Sequence, residues 1–183
     1  MTITRETLVG LLAKLSYRKG TFRLASGRES DFYVDVKQTV FRAEGSRAVG
    51  ELLCDRLVAH GIDLVGGMAV GAVPLVSIAL SAAAGRGLEL DGFFVRKEAK
   101  DHGTAQKIDG RFRSEARIAL VEDVVTTGAS TLLAIDAVEA AGGKVVLVIT
   151  VVDREENDGA AALRARGAVV ESLATRSEIV AAG

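Results

Sequence analysis

From Gly61 onward the chain alternates short runs of aliphatic residues with alanine-rich stretches, and this alternation restricts the possible folds most strongly. Several of the apolar runs are continuous, as expected of strands that are covered by helices on both faces of a sheet. The pattern therefore predicts an α/β fold with a doubly wound, mainly parallel sheet flanked by helices. The predicted strands are Leu64–Val65, Phe93–Val95, Ile118–Val121, Val145–Val152 and Val169–Leu173. The predicted helices between them lie around Val76–Ala84, Ser130–Ala141 and Ala160–Arg166.

The first sixty residues follow a different pattern. Leu8, Leu11, Leu12 and Leu15 recur at helical spacing, and Thr4 is available as an N-cap. Two short strands are expected at Phe22–Ala25 and Phe32–Val36, and a longer helix from Arg42 to Ala59. With 183 residues and no proline-rich linker or repeat, the chain is expected to form one domain over residues 1–183.

Composition excludes several classes of protein. No apolar run approaches the roughly 18 residues of a membrane-spanning helix. Polar residues interrupt the N-terminal apolar segment at helical spacing, so we interpret it as a folded helix and not as a signal peptide. A net charge of −1 argues against a nucleic-acid or anionic-membrane partner. The single cysteine, Cys54, cannot form an internal disulfide and is expected in the core, which suits a cytoplasmic protein.

The segment Ala119–Thr131 has the pattern of a buried strand that enters a helix through a short loop of threonine and glycine. Such loops lie at the carboxyl ends of strands, where ligands bind in open α/β sheets. Unpaired amides and the dipole at a helix N-terminus favour an anion, and Gly128 allows the backbone to approach it closely. The residues expected to bind a phosphate are Thr126, Thr127, Gly128, Ala129 and Ser130.

Glu122 and Asp123 directly precede this loop, although two carboxylates should repel a bound phosphate. A ribose 5-phosphate resolves the conflict, because its 2′- and 3′-hydroxyls can donate hydrogen bonds to the acids. Alternatively, Thr126 and Ser130 only cap the helix and the acids are solvated. The position of all these groups at the end of a buried strand favours the ligand site. Two other phosphate motifs, the P-loop and the G-x-G-x-x-G dinucleotide loop, do not match this segment or Gly66–Gly71.

VEDVVTTGAS, at residues 121–130, closely resembles the phosphoribosyl diphosphate (PRPP) signature of type I phosphoribosyltransferases. A second segment, Phe94–Gly103, resembles the R-K-x-x-K-x-H-G catalytic loop of orotate phosphoribosyltransferases. The resemblance implies that PRPP is bound by Arg96, Lys97, Lys100 and His102 together with Glu122, Asp123, Val124, Val125 and the phosphate loop Thr126–Ser130. It makes Lys100, His102 and Asp123 the catalytic candidates.

The charge of the second segment agrees with this interpretation. From Phe93 to Arg117 the chain has seven basic residues and four acidic ones. The stretch Lys97–Glu115 lacks apolar periodicity, and connections of that length are usually functional or mobile. A positive loop could stabilise the charge that develops on a diphosphate leaving group. The alternative is an exposed charged loop without a ligand.

Arg154 follows the predicted strand Val145–Val152 at the same edge of the sheet. Its guanidinium could bind a planar carboxylate with two hydrogen bonds, and orotate has such a group. In orotate phosphoribosyltransferases the arginine at this V-D-R position and the first threonine of the phosphate loop contact orotate, which implies Arg154 and Thr126. A surface ion pair of Arg154 with Asp153 or Glu155 is the alternative.

Two further segments extend the resemblance, with departures. Gly66–Pro74 occupies the place of the family's diphosphate-binding loop, and Leu24–Asp35 resembles the hood segment that covers the base. Many members have a lysine where this chain has Ala25, and some have a Tyr-Lys pair where it has Val70-Gly71. Those two contacts are not transferred to this chain.

The resemblance implies a type I phosphoribosyltransferase fold with a small N-terminal hood at about residues 1–40 and an α/β core at about residues 60–175. The implied reaction joins orotate and PRPP to give orotidine 5′-monophosphate and diphosphate. Mg²⁺ would be bound mainly by substrate and water, so no side chain is predicted as a metal ligand. The family's loop reaches across a dimer interface, which implies a homodimer. The alternatives are a phosphoribosyltransferase for another base and a non-catalytic regulator that senses PRPP.

Overall fold

The computed structural model describes residues 3–23, 29–98 and 107–183. Its helices are α1 (Arg5–Leu15), α2 (Lys37–Val40), α3 (Ala43–Ala59), α4 (Ala72–Gly85), α5 (Ala129–Ala140), α6 (Gly159–Arg164) and α7 (Arg176–Ala182). Its strands are β1 (Tyr17–Arg23), β2 (Glu29–Val34), β3 (Leu64–Gly66), β4 (Asp91–Val95), β5 (Ile108–Gly110), β6 (Arg117–Val125), β7 (Lys144–Asp153) and β8 (Val169–Thr175). No helix in these three ranges is long and apolar enough to cross a membrane.

The main sheet has six strands in the order β5-β4-β3-β6-β7-β8. Neighbouring strands are parallel except at one edge, where β5 pairs antiparallel with β4. The predicted parallel α/β sheet is therefore confirmed, with one strand that the sequence pattern had not indicated. In parallel strands the carboxyl ends meet at one edge, and here the register aligns Val125 of β6 with Asp153 of β7.

Both faces of the sheet are covered, which explains the continuous apolar runs. Along β6, Ala119 and Val121 pack toward a core that includes residues of α1, α3, α4 and α7. Ile118 and Leu120 pack toward a second core that includes residues of α5 and α6. All four side chains are essentially inaccessible to solvent. Cys54 on α3 is also buried, as predicted.

The N-terminal hairpin β1–β2 forms a separate antiparallel sheet beside the main one. Phe32 of β2 is buried and belongs to the same hydrophobic cluster as Leu8 of α1. Helix α1 begins after the predicted cap, since the Thr4 hydroxyl accepts a hydrogen bond from the Thr7 amide. The predicted strand end at Ala25 lies outside the described residues.

The two ends of the chain meet through a bidentate ion pair between α1 and α7. Arg5 donates from Nε and Nη2 to the two carboxylate oxygens of Glu178, at 2.9 and 2.8 Å. This guanidinium, together with hydrogen bonds from Thr175, lowers the pKa of Glu178 to about 2, against the effect of burial. The same carboxylate closes a capping box with Thr175 at the start of α7.

Candidate active site

The carboxyl end of β6 leads directly into the predicted phosphate loop. β6 ends at Val125, and α5 begins at Ala129 after Gly128, which has a φ of +74°. This left-handed conformation favours glycine, because a side chain would clash with the adjacent backbone. A cavity of about 140 Å³ lies here. It is lined by Glu122, Val124, Val125, Thr126, Thr127, Gly128, Ala129, Ser130 and Thr131.

Helix α6 supports the back of this loop at close range. A Cβ atom placed on Gly159 would lie only 2.4 Å from the carbonyl oxygen of Thr126. A Cβ on Gly128 would lie 3.1 Å from the carbonyl oxygen of Gly159. The two backbones thus lie close together, and the Leu163 side chain of α6 also packs near Gly128. The Ala129 amide donates a long hydrogen bond of 3.4 Å to the Thr127 hydroxyl, and amides at a helix N-terminus favour an anion.

Glu122 is buried beside the loop, whereas Asp123 lies at its rim. The Thr131 hydroxyl donates a hydrogen bond of 2.9 Å to Oε2 of Glu122. Burial first, and then the negative charge of Asp123, raise the pKa of the Glu122 carboxyl to about 7. The pair therefore combines a carboxyl that resists ionisation with a second, more accessible carboxylate.

Lys37 from the N-terminal part of the chain lies against Asp123. Its Nζ atom is 3.1 Å from Oδ2 of Asp123 and 3.7 Å from Oδ1 of Asp35. Burial alone would lower the pKa of the Lys37 ammonium, but the charges of Asp123 and Asp35 outweigh it and raise the pKa. A cation thus offsets the charge of the acid pair.

The glycine-rich segment Gly66–Pro74 packs onto the same strand end. Its backbone bonds to β4, with the Ala69 amide 2.7 Å from the Val95 carbonyl oxygen and the Val95 amide 2.8 Å from that of Gly67. A Cβ atom on Gly67 would lie 2.4 Å from the Val121 carbonyl oxygen of β6. A Cβ on Gly71 would lie 3.2 Å from Oδ1 of Asp123. The segment predicted to bind diphosphate is therefore next to the acid pair.

The basic loop, which is the connection between β4 and β5, is described only at its two ends. Arg96 follows β4, its amide bonds to the Lys107 carbonyl oxygen at 2.8 Å, and its guanidinium forms an ion pair with Asp109 of β5. Lys97 is exposed to solvent. The predicted catalytic residues Lys100 and His102 lie outside the described residues.

Arg154 is buried, and its surroundings differ from those of a surface ion pair. Its Cζ atom lies 4.4 Å from the centre of the Phe32 ring, and its Nη2 atom lies 3.2 Å from Oε2 of Glu156. The Arg154 amide donates to the Val125 carbonyl oxygen at 3.1 Å, directly before Thr126. The two residues predicted to bind orotate are thus adjacent in the fold. Glu155 instead accepts hydrogen bonds from the Ser177 amide and hydroxyl of α7.

Comparisons with known proteins agree with this geometry, although no family model matches the chain. The orotate phosphoribosyltransferase of Sorangium cellulosum (strain So ce56) is 42% identical over 179 residues, which are 96% of this chain and 93% of that protein. The chain belongs to the orotate phosphoribosyltransferase family. The orotate phosphoribosyltransferase of Rhodopseudomonas palustris (strain BisB18) is 38% identical over 181 residues, which are 97% of this chain and 96% of that protein.

Solved structures of the orotate phosphoribosyltransferase family confirm the predicted fold class. The Mycobacterium tuberculosis H37Rv enzyme, in complex with Fe(III) dicitrate, is 36% identical with a TM-score of 0.84, over 96% of this chain and 98% of that one. The same enzyme in complex with PRPP is 33% identical with a TM-score of 0.80, over the same shares.

Within this orotate phosphoribosyltransferase fold, two residues near the predicted site were missed by the sequence argument. Lys37 has no distinguishing pattern in the sequence and reaches Asp123 only through the tertiary fold. Phe32 was interpreted as a strand residue, yet both Arg154 and Arg176 place their guanidinium groups over its ring. The contribution of each predicted site residue to substrate binding stays a prediction.

Proposed function

We propose that the chain transfers the 5-phosphoribosyl group of PRPP to orotate, giving orotidine 5′-monophosphate and diphosphate in pyrimidine biosynthesis. The observation that supports this most directly is the position of the acid pair and the phosphate loop at the end of β6, with Arg154 beside them. A member of the same family, the M. tuberculosis enzyme, has been solved with PRPP.

The ribose phosphate is bound by two groups of residues. The amides and hydroxyls of the loop from Thr126 to Ser130 bind the 5′-phosphate at the N-terminus of α5. Asp123 and Glu122 accept hydrogen bonds from the 2′- and 3′-hydroxyls. These bonds favour the ionised carboxylates over the protonated acids, so substrate binding opposes the raised pKa of Glu122.

Orotate is bound by Arg154 and Thr126. A bidentate contact between the guanidinium and the orotate carboxylate orients the ring against the ribose. A ring nitrogen of orotate then forms a bond to C1′ and gives up its proton to the departing diphosphate, which leaves with the electron pair of the breaking C1′–O bond. No protein nucleophile is required, because the two substrates supply both the attacking and the leaving group.

The diphosphate leaving group is stabilised by the basic loop. Arg96, Lys97, Lys100 and His102 bind it and exclude water from C1′ during the reaction. Asp109 forms an ion pair with Arg96 in the free protein, so substrate must compete with that contact.

Mg²⁺ would neutralise charge on the diphosphate and would be bound mainly by PRPP and water, as this ion prefers. Within the described ranges, no group of three or more His, Cys, Asp or Glu side chains could hold a metal ion. We further propose a cytoplasmic homodimer in which each basic loop serves the neighbouring site.

The decisive experiment follows orotate absorbance with purified protein, PRPP and Mg²⁺, and compares orotate, uracil and purines side by side. PRPP- and Mg²⁺-dependent consumption of orotate alone is the expected result. Turnover of another base would retain the ribose-phosphate site and contradict the role of Arg154. PRPP binding without turnover of any base would indicate a regulator that senses PRPP.

A further inference from the structure

The contact between Lys37 and Asp123 joins two distant parts of the chain at the substrate site. The two residues are 86 positions apart, and their charged groups lie 3.1 Å apart. Asp123 belongs to the acid pair at the end of β6, and Lys37 begins the short helix α2 that follows the N-terminal hairpin. An ammonium group from outside the α/β core therefore lies within the PRPP-binding region.

Asp35 fixes the backbone of Lys37 and leaves its side chain to reach outward. Oδ1 of Asp35 accepts a hydrogen bond of 3.2 Å from the Lys37 amide, and Oδ2 accepts one of 3.1 Å from the Gln38 side chain. The Lys37 side chain itself is 54% exposed, compared with 19% for Asp123. Its four-carbon stem can move the charge by several ångströms while the main chain stays in place.

The glycine-rich segment Gly66–Pro74 lies next to the ion pair between Lys37 and Asp123. Gly71 of the glycine-rich segment lies so close that a Cβ atom there would be 3.2 Å from Oδ1 of Asp123. Lys37, Asp123 and Gly71 therefore converge on one point. PRPP must place its ribose hydroxyls near Asp123 and its diphosphate near Gly66–Pro74, so this point lies between the two groups.

We propose that Lys37 is a diphosphate-binding residue whose charge is exchanged on substrate binding. In the free protein its ammonium pairs with Asp123. When the ribose hydroxyls of PRPP hydrogen-bond to Asp123, the ammonium turns to the adjacent diphosphate. This inference rests on the proposed function, because it assumes that PRPP occupies the acid pair and the phosphate loop.

The electrostatics of the site favour such an exchange. Glu122, Asp123 and Asp35 place three carboxyl groups near an incoming polyanion, and their repulsion would weaken its binding. Lys37 offsets part of this charge through its ion pair with Asp123. Near a substrate that excludes water, its attraction to a diphosphate exceeds its attraction to a single carboxylate.

Three proteins test the role of Lys37: the Lys37→Met and Lys37→Arg variants, and a Lys144→Met control. Lys144 is an exposed lysine at the start of β7, at the opposite end of the strand from the site. Isothermal titration with Mg²⁺ would measure the dissociation constants of PRPP and of ribose 5-phosphate, which lacks the diphosphate. A charge-assisted hydrogen bond is worth a roughly 10- to 100-fold change in affinity.

We expect Lys37→Met to weaken the binding of PRPP by about that factor. The binding of ribose 5-phosphate should be unchanged or tighter, since Asp123 is released from its ion pair with Lys37. Lys37→Arg should retain most of the PRPP affinity, and Lys144→Met should behave as the parent protein. In steady-state assays the KM for PRPP should rise, with the KM for orotate nearly constant.

Two results would overturn the proposal. Equal losses of PRPP and ribose 5-phosphate affinity would mean that Lys37 only shapes the site. A lower melting temperature with unchanged PRPP affinity would make it a structural ion pair. If the parent protein binds PRPP but consumes no orotate, the proposed function fails while the titrations still decide the role of Lys37.

Discussion

Glu122 makes the stability of the protein depend on pH in an unusual direction. Its pKa is raised from 4.5 to about 7 in the folded protein, so the folded state binds more protons than the unfolded state between these values. Stability therefore falls as pH rises through this window, by about 3 kcal/mol for the whole shift. The Glu122→Gln variant cannot lose a proton, yet its amide oxygen can still accept the Thr131 hydrogen bond.

The free energy of unfolding, measured by urea denaturation at one protein concentration, should show this difference. Between pH 5 and pH 8, the free energy of unfolding of Glu122→Gln should rise by about 3 kcal/mol relative to that of the parent. Glu115→Gln, at an exposed position, should follow the parent at both pH values. Parallel pH profiles for the parent and Glu122→Gln would contradict the raised pKa. The more stable variant should bind PRPP more weakly, because an amide is a poorer acceptor for ribose hydroxyls.

Arg154 should determine the affinity for orotate through its planar guanidinium. Replacement by alanine removes two charge-assisted hydrogen bonds and the contact with Phe32, and should raise the KM for orotate by about 100-fold. Arg154→Lys keeps the charge but lacks the planar guanidinium that can donate two hydrogen bonds, so it should recover only part of this loss. Steady-state kinetics with each substrate varied would measure both effects.

The exposed Arg164 on α6 provides the matched control, since Arg164→Ala removes the same group away from the site. An unchanged orotate KM in Arg154→Ala would contradict the assignment. So would an equal rise in the KM for PRPP, which would indicate a general distortion of the loop after β7.

At the scale of elements, the sequence was informative where one short-range pattern determines the structure. The apolar run Val145–Val152 became β7 (Lys144–Asp153), and Ser130–Ala141 became α5 (Ala129–Ala140). By contrast, Ile108–Gly110 is the strand β5, which pairs antiparallel with β4 and has no strand pattern of its own in the sequence. Tyr17–Arg23 was mostly missed as a strand because its residues are largely polar and are fixed by cross-strand pairing. Tertiary pairing had overridden local preference in both cases.

The contact between α6 and the phosphate loop should be sensitive to one methyl group. In Gly159→Ala the new Cβ would meet the Thr126 carbonyl oxygen at 2.4 Å, and a backbone carbonyl cannot turn away as a side chain can. Overpacking of this kind costs about 1–3 kcal/mol. We expect a lower melting temperature and about tenfold weaker binding of ribose 5-phosphate, because the loop that binds its phosphate is displaced.

The same substitution at Gly10 is the control for this effect. Nothing lies within 4 Å of a Cβ atom there, and the residue is inside α1, where alanine is preferred to glycine. Gly10→Ala should leave ligand affinity unchanged and raise the melting temperature slightly. Full ribose 5-phosphate affinity in Gly159→Ala, measured by titration, would show that the loop tolerates displacement.

For the whole molecule, the site residues of the α/β core could be predicted from the sequence. The contacts between the core and the N-terminal part could not. Glu122 to Ser130 and Arg154 lie at the ends of strands that the α/β pattern predicts, and parallel strands end at one edge of a sheet. Lys37 and Phe32 reach the same site because the hairpin β1–β2 and the helix α2 pack against the core. No spacing rule relates residue 37 to residue 123, so that contact required the folded structure.

The proposed sharing of the basic loop between two protomers is limited by the length of the loop. The Arg96 amide and the Lys107 carbonyl oxygen are 2.8 Å apart, so the two ends of the connection between β4 and β5 lie together. The eleven steps from residue 96 to residue 107 allow a reach of at most about 20 Å from this base, at 3.3–3.6 Å per residue out and back. If the loop serves a partner, the partner's acid pair must lie within that distance of β4 and β5.

Mixing two inactive variants tests this arrangement directly. In Lys100→Ala the loop is defective, and in Asp123→Asn the ribose site is defective. If the loop serves the partner, a heterodimer of the two has one site with both defects and one site with neither. Unfolding and refolding an equal mixture would then recover about a quarter of the parent activity per protomer, because half of the dimers are mixed. If each loop serves its own protomer, every site contains one defect and the mixture stays as inactive as its components. The control is a refolded mixture of the double variant Lys100→Ala/Asp123→Asn with the parent protein. In this mixture the defective loop and the defective ribose site are on the same chain. Shared loops would then leave both sites of the mixed dimer impaired.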